Sequence, residues 1–163
     1  MNYHNIVHND MLNGDGMRVT LFVSGCTLCC PFCQNPQTWN KDGGILFDEN
    51  AKQEIFSQLQ EDHISGLTLT GGHPLEAYNL DECTKLCKEI KEKFHDKTIW
   101  LYTGYLYENV KDLEIMEYVD VVIDGDFKQE LKDIGLKWRG SSNQRVIDIK
   151  KSREQNKVVL FCD

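Results

Sequence analysis

Short apolar runs alternate with amphipathic stretches along this chain, and that alternation constrains its fold more than any single residue does. Arg18–Ser24, Gly66–Thr70, Thr98–Thr103 and Val119–Asp124 read as buried strands. Between them, Asp48–Gln60 carries Ala51, Ile55, Phe56 and Leu59 at helical spacing. A second helix is predicted after Asn79, with Leu80, Cys83, Leu86, Cys87, Ile90 and Phe94 on one stripe. Asn79 followed by Glu82 has the spacing of a capping box. Leu113–Tyr118 reads as a short helix, and Val146–Ile149 and Val158–Phe161 as two more strands around a polar helix. Strands alternating with helices need crossover connections, which predicts an α/β fold on a mainly parallel sheet. No repeat or linker interrupts the 163 residues, so a single domain over 1–163 is expected, large enough to bury a core.

Four segments with chemical potential, Cys26–Cys33, Thr70–Pro74, Tyr102–Tyr105 and Asp124–Phe127, each follow the C-terminal end of a predicted strand. In a parallel sheet these segments meet at the C-terminal edge, where α/β folds gather their ligands. The densest is Gly25-Cys26-Thr27-Leu28-Cys29-Cys30-Pro31-Phe32-Cys33. Soft thiolates select zinc, Cu(I) or an iron–sulfur cluster. The formal pairs Cys26–Cys29 and Cys30–Cys33 offer zinc two C-x2-C units, but they abut without the connection that lets four side chains surround one ion. Cys26, Cys30 and Cys33 are the candidate ligands of a cubane cluster, which normally takes four cysteines. Three would leave one iron open to another molecule.

Composition removes other classes. A net charge of −8, with basic residues interleaved among acids, leaves no basic patch for nucleic acid. No run has the apolar length of a membrane span, and Met1–Asn5 does not begin a signal peptide. Seven cysteines, odd in number and clustered, fit metal binding in a reducing compartment, so a cytoplasmic protein is expected.

The run Val23-Ser24-Gly25-Cys26-x3-Cys30-x2-Cys33-x-Asn35-Pro36-x-Thr38 resembles the cluster loop of radical S-adenosylmethionine enzymes, above all the activases of glycyl-radical proteins. Gly14-Asp15-Gly16-Met17-Arg18 resembles their Gly-Pro-Gly-x-Arg lead-in, with Asp15 in place of proline. The resemblance implies a partial, open TIM-like barrel. It implies that Cys26, Cys30 and Cys33 hold a 4Fe–4S cluster whose open iron binds S-adenosyl-L-methionine, with Cys29 outside the ligand spacing. Gly71-Gly72-His73-Pro74 is similar to the family's Gly-Gly-Glu-Pro or Gly-Gly-Asp-Pro segment, which places Gly71, Gly72 and His73 at the cofactor. His73 stands where the family has a carboxylate, and a neutral imidazole has one acceptor nitrogen. Weakened but not abolished cofactor binding is the expectation.

Tyr102-Thr103-Gly104-Tyr105 resembles the activase strand end, where Thr103 would bond the methionyl part, and Asp124-Gly125-Asp126-Phe127 resembles the next one. Gly140-Ser141-Ser142-Asn143-Gln144-Arg145 looks like a segment of the branch acting on anaerobic ribonucleoside-triphosphate reductase, with Asn143, Gln144 and Arg145 reaching cofactor or partner. The implied chemistry is reductive cleavage of S-adenosylmethionine to a 5′-deoxyadenosyl radical, which takes hydrogen from a glycine of the reductase. A flavodoxin-like protein would supply the electron. The competing expectations are an activase of another glycyl-radical enzyme such as pyruvate formate-lyase, an iron–sulfur electron carrier, and a zinc module. Cys83 and Cys87 read as helix core rather than ligands.

Overall fold

The computed structural model describes residues 1–162. Among these residues the chain forms one seven-stranded sheet in the order β3-β1-β2-β4-β5-β6-β7. The strands are β1 (Asn2–Asp10), β2 (Met17–Val23), β3 (Ile45–Leu46), β4 (Ile64–Gly71), β5 (Thr98–Tyr102), β6 (Val121–Asp124) and β7 (Arg145–Asp148). The helices are α1 (Glu49–Leu59), α2 (Ala77–Lys93), α3 (Tyr107–Val110) and α4 (Ile149–Gln155). None is long and apolar enough to cross a membrane.

The α/β class holds, but the sheet is less parallel than predicted. The β2-β4-β5-β6 centre is parallel, whereas β1 pairs antiparallel with both β2 and β3, and β7 pairs antiparallel with β6. The sheet runs open from β3 to β7. The crossover argument applies where α1, α2 and, between β5 and β6, the short α3 and a 3-10 turn intervene. The flanking strands return through loops and need no crossover.

Register sorts the strands into two faces. Val19, Leu67 and Ile99 align across the centre, as do Leu21, Leu69 and Leu101. These residues share one apolar cluster with Ala51, Ile55 and Leu59 of α1 and Cys83, Leu86, Cys87 and Ile90 of α2. One residue out of step, the other face carries Arg18, Thr20, Thr68, Trp100 and Tyr102. A smaller cluster of Trp100, Val121, Ile123 and Val146 packs on it, with Tyr102, Trp138 and Cys162 at its margin.

Arg18 lies fully buried on this second face. Its guanidinium donates to Thr68 Oγ1, Asp15 O, Thr98 Oγ1, Leu67 O and Thr98 O, and sits 5.4 Å from the Trp100 ring centre. Each of these acceptors is a neutral oxygen. Burial draws the Arg18 pKa down to about 10, with nearby acids opposing the shift. The group therefore stays charged at neutral pH.

Other expectations need correction. Helix α1 begins as predicted, with the Asp48 carboxylate accepting from Ala51 N at 2.9 Å. Asn79, expected to cap α2, lies within its first turn, and Glu76 occupies the cap position. Tertiary bonding explains the difference, because the buried Asn79 amide donates to Ser24 O and His73 O. Leu113–Tyr118 reduces to a 3-10 turn at Glu114–Glu117. Val158–Phe161 makes a single bridge, Leu160 opposite Ile147, instead of a strand. Strand β1 has too little apolar alternation to be predicted: Tyr3 and Ile6 are its buried apolar residues, three apart.

Candidate functional site

Strand β2 delivers the cysteine loop, and β4 closes against it. Gly72 N donates to Val23 O and His73 N to Gly25 O, both at 2.8 Å. This docking requires glycine. Gly71 has φ +103°, and a Cβ on Gly72 would lie 2.5 Å from the Gly25 carbonyl. The far side of the loop is held by Gly25 N donating to Thr38 O and Cys26 N to Trp39 O. Thr27 donates through its N–H and its hydroxyl to the Glu76 carboxylate, at 2.8 and 2.7 Å.

A cavity of about 170 Å³ opens at the C-terminal edge of β2, β4, β5 and β6. Cys26, Cys30 and Cys33 line it; Cys29 does not. The Cys29 thiol is exposed, turned toward Cys26 O at 3.8 Å on a backbone of φ +47°. Burial pushes the Cys26 and Cys30 thiols above their ordinary pKa, so a soft metal must displace protons to bind there. Among the described residues no three His, Cys, Asp or Glu side chains converge on a single-ion position. One zinc needs every ligand about 2.3 Å from the same centre. A cubane seats its ligands on separate irons, and the three thiols that line this cavity are the soft donors it takes.

Gly71, Gly72, His73, Thr103 and Gly104 line the same cavity. His73 is buried, its Nε2 2.8 Å from Thr103 Oγ1 and its ring edge-on to Tyr105. Its Nδ1 lies 3.6 Å from Glu76 Oε1 with no hydrogen-bond partner. Burial lowers the His73 pKa, with Glu76 working against the shift, so the ring is neutral. Burial would raise Glu76, but hydrogen bonds from Thr27 and the nearby His73 outweigh it and hold the carboxyl below its ordinary value.

The Gly140–Arg145 loop behaves differently from the sequence expectation. Asn143 lies outside the cavity lining, and its amide donates to Asp126 O at 2.8 Å. Gln144 does line the cavity, yet its amide holds Gly140 N, Ser141 N and Gly125 O. Arg145 is engaged by Asp124 and Glu108, and the buried Asp124 also accepts from Tyr107 N. These side chains tie β6, β7 and α3 together. Sequence reasoning missed Glu76, which joins the cysteine loop to His73. Its signal was the i, i+3 spacing from His73.

Three thiols beside a two-glycine strand end define a cluster-binding class of site, and the 4Fe-4S single cluster domain family matches residues 12–147. The chain is 48% identical over 146 residues to the anaerobic ribonucleoside-triphosphate reductase-activating protein of Enterobacteria phage T4, covering 90% of this chain and 93% of the relative. It is 42% identical over 150 residues to the protein of that name from Haemophilus influenzae and 41% to that of Escherichia coli (strain K12), each at 90% and 97% coverage. The chain belongs to this family of activating proteins.

Proposed function

We propose that this chain is a radical S-adenosylmethionine activase that generates a glycyl radical on an anaerobic ribonucleoside-triphosphate reductase. One observation carries the reading: three of four neighbouring cysteines share a cavity with the Gly71-Gly72 backbone, while the fourth faces solvent. Family membership supplies the reductase as partner, since the relatives are named for activating it. In this reading Cys26, Cys30 and Cys33 hold the cluster and leave one corner for S-adenosyl-L-methionine. When bound, the cluster supplies the electron for reductive cleavage of that molecule.

The residues of the chain act by position. Gly71 and Gly72 let backbone approach the ligand closely, and His73 and Thr103 offer polar atoms from the adjacent strand ends. Leu28 packs against Gly104 at the cavity lining, where an added Cβ would meet Leu28 Cδ1 at 2.2 Å. None of these side chains needs to act as acid or base. We further take the whole chain as one domain whose open sheet is part of a TIM-like barrel, with the unclosed side admitting the reductase's glycine loop. A flavodoxin-like donor and a cytoplasmic setting complete the reading; the seven free cysteines fit a reducing compartment.

The test is anaerobic mixing of cluster-loaded protein, S-adenosylmethionine, a one-electron donor and the reductase. The expected result is a glycyl-radical signal in electron paramagnetic resonance, abolished by Cys30→Ala. No signal with the native chain overturns the proposal. A bound zinc in place of iron would do the same.

A further inference from the structure

Two contacts of the His73 ring, at Thr103 and at Glu76, bear on where its proton sits. Tyr105 N donates to Thr103 Oγ1 at 3.1 Å. The Thr103 hydroxyl proton is then free to donate to His73 Nε2 at 2.8 Å. A neutral imidazole has one N–H and one lone pair. If Nε2 accepts, Nδ1 carries the proton, and Nδ1 faces the Glu76 carboxylate at 3.6 Å. The opposite tautomer would set a lone pair against an anionic oxygen in a buried site, where such contacts are most unfavourable. Glu76 is itself held in place by the two bonds from Thr27.

We propose that Glu76 is a positioning residue that fixes His73 as the Nδ1–H tautomer, so that Nε2 is presented as the acceptor for the ammonium group of an amino-acid ligand. The inference rests on the reading that S-adenosylmethionine binds in this cavity. His73 and Thr103 both line the cavity, whereas Glu76 does not, so the carboxylate acts one bond removed from the ligand. Among the described residues the lining carries one carboxylate, Asp126, which is exposed to water. A water-exposed acceptor discriminates less than a buried one. When an ammonium group arrives, it takes the place of the Thr103 hydroxyl at Nε2. No proton need transfer.

Anaerobic calorimetry on cluster-loaded protein tests this. Glu76→Gln keeps an oxygen for Thr27 but removes the charge. It is expected to weaken S-adenosylmethionine binding about tenfold. In a His73→Glu background the same change should cause no weakening, because the ligand's acceptor is then a carboxylate of its own. Equal weakening in both backgrounds, or none in the first, overturns the proposal. Infrared spectra of protein with isotope-labelled histidine rings, recorded without S-adenosylmethionine, read the tautomer directly. Nδ1–H in the native chain, lost in Glu76→Gln, is expected; Nε2–H in the native chain overturns the assignment. Failure of the native protein to bind S-adenosylmethionine would overturn the cofactor reading, while the infrared result still decides the His73–Glu76 pair.

Discussion

On the helix-covered face of the sheet, Val19, Leu21, Leu67, Leu69, Ile99 and Leu101 belong to one apolar cluster. The opposite face of the same strands buries Arg18, Thr20 and Thr68, which depend on directional bonds. Apolar packing is nearly indifferent to orientation and tolerates volume-conserving exchange. A buried polar set tolerates little, because each atom left without its partner carries a desolvation penalty. The cavity with the three cysteines opens beside Thr70 and Tyr102, which extend the polar face to the C-terminal edge. The face that specifies geometry is thus the one that continues into the site.

Three measurements would break or sharpen this contrast. Leu69→Ala removes a fully buried side chain from the helix-covered face and should cost about 2–5 kcal/mol in urea unfolding. The surviving folded protein should bind as much iron per chain as before. Arg18→Met removes the guanidinium from the polar face and leaves its carbonyl and hydroxyl acceptors without a donor. A loss of about 1–3 kcal/mol is expected in the same assay. An unchanged urea midpoint would mean that this face contributes geometry without stability.

The smallest effect concerns pH. Burial sets the folded His73 pKa below the ordinary 6.5, so the unfolded chain takes up this proton more readily. The contribution is fully present above about pH 6.5 and is lost as pH falls through the folded value. Urea midpoints should therefore decline from about pH 8 to about pH 5 more steeply for the native chain than for His73→Gln. Equal slopes would show that His73 is not held neutral.

The central strands and both long helices were legible because their apolar spacing is set by burial against one another. The cysteine loop was legible because its spacing is local. What escaped depends on partners distant in sequence. Asn79 looks like a cap until Ser24, 55 residues away, takes its amide. The side-chain bonds of Asn143, Gln144 and Arg145 to Asp126, Gly125 and Asp124 likewise join residues 17 to 21 apart in the chain. Glu76 carries only its i, i+3 spacing from His73 as a sequence signal; its role appears when Thr27, 49 residues earlier, is brought beside it. Strand β1 is specified by pairing with β2 more than by its own pattern.

The clasp around Arg18 also constrains the order in which the molecule assembles. Its donors reach Asp15, three residues before it, and Thr98, 80 residues after it. A cation enclosed before Thr98 arrives would be dehydrated without its full set of acceptors, so partly built sheets are disfavoured and the centre forms in a concerted step. Contacts spanning that much chain also slow folding. The full set of acceptors around Arg18 is complete only when β5 is in place, which ties the seating of β2, the strand leading into the cysteine loop, to the arrival of Thr98.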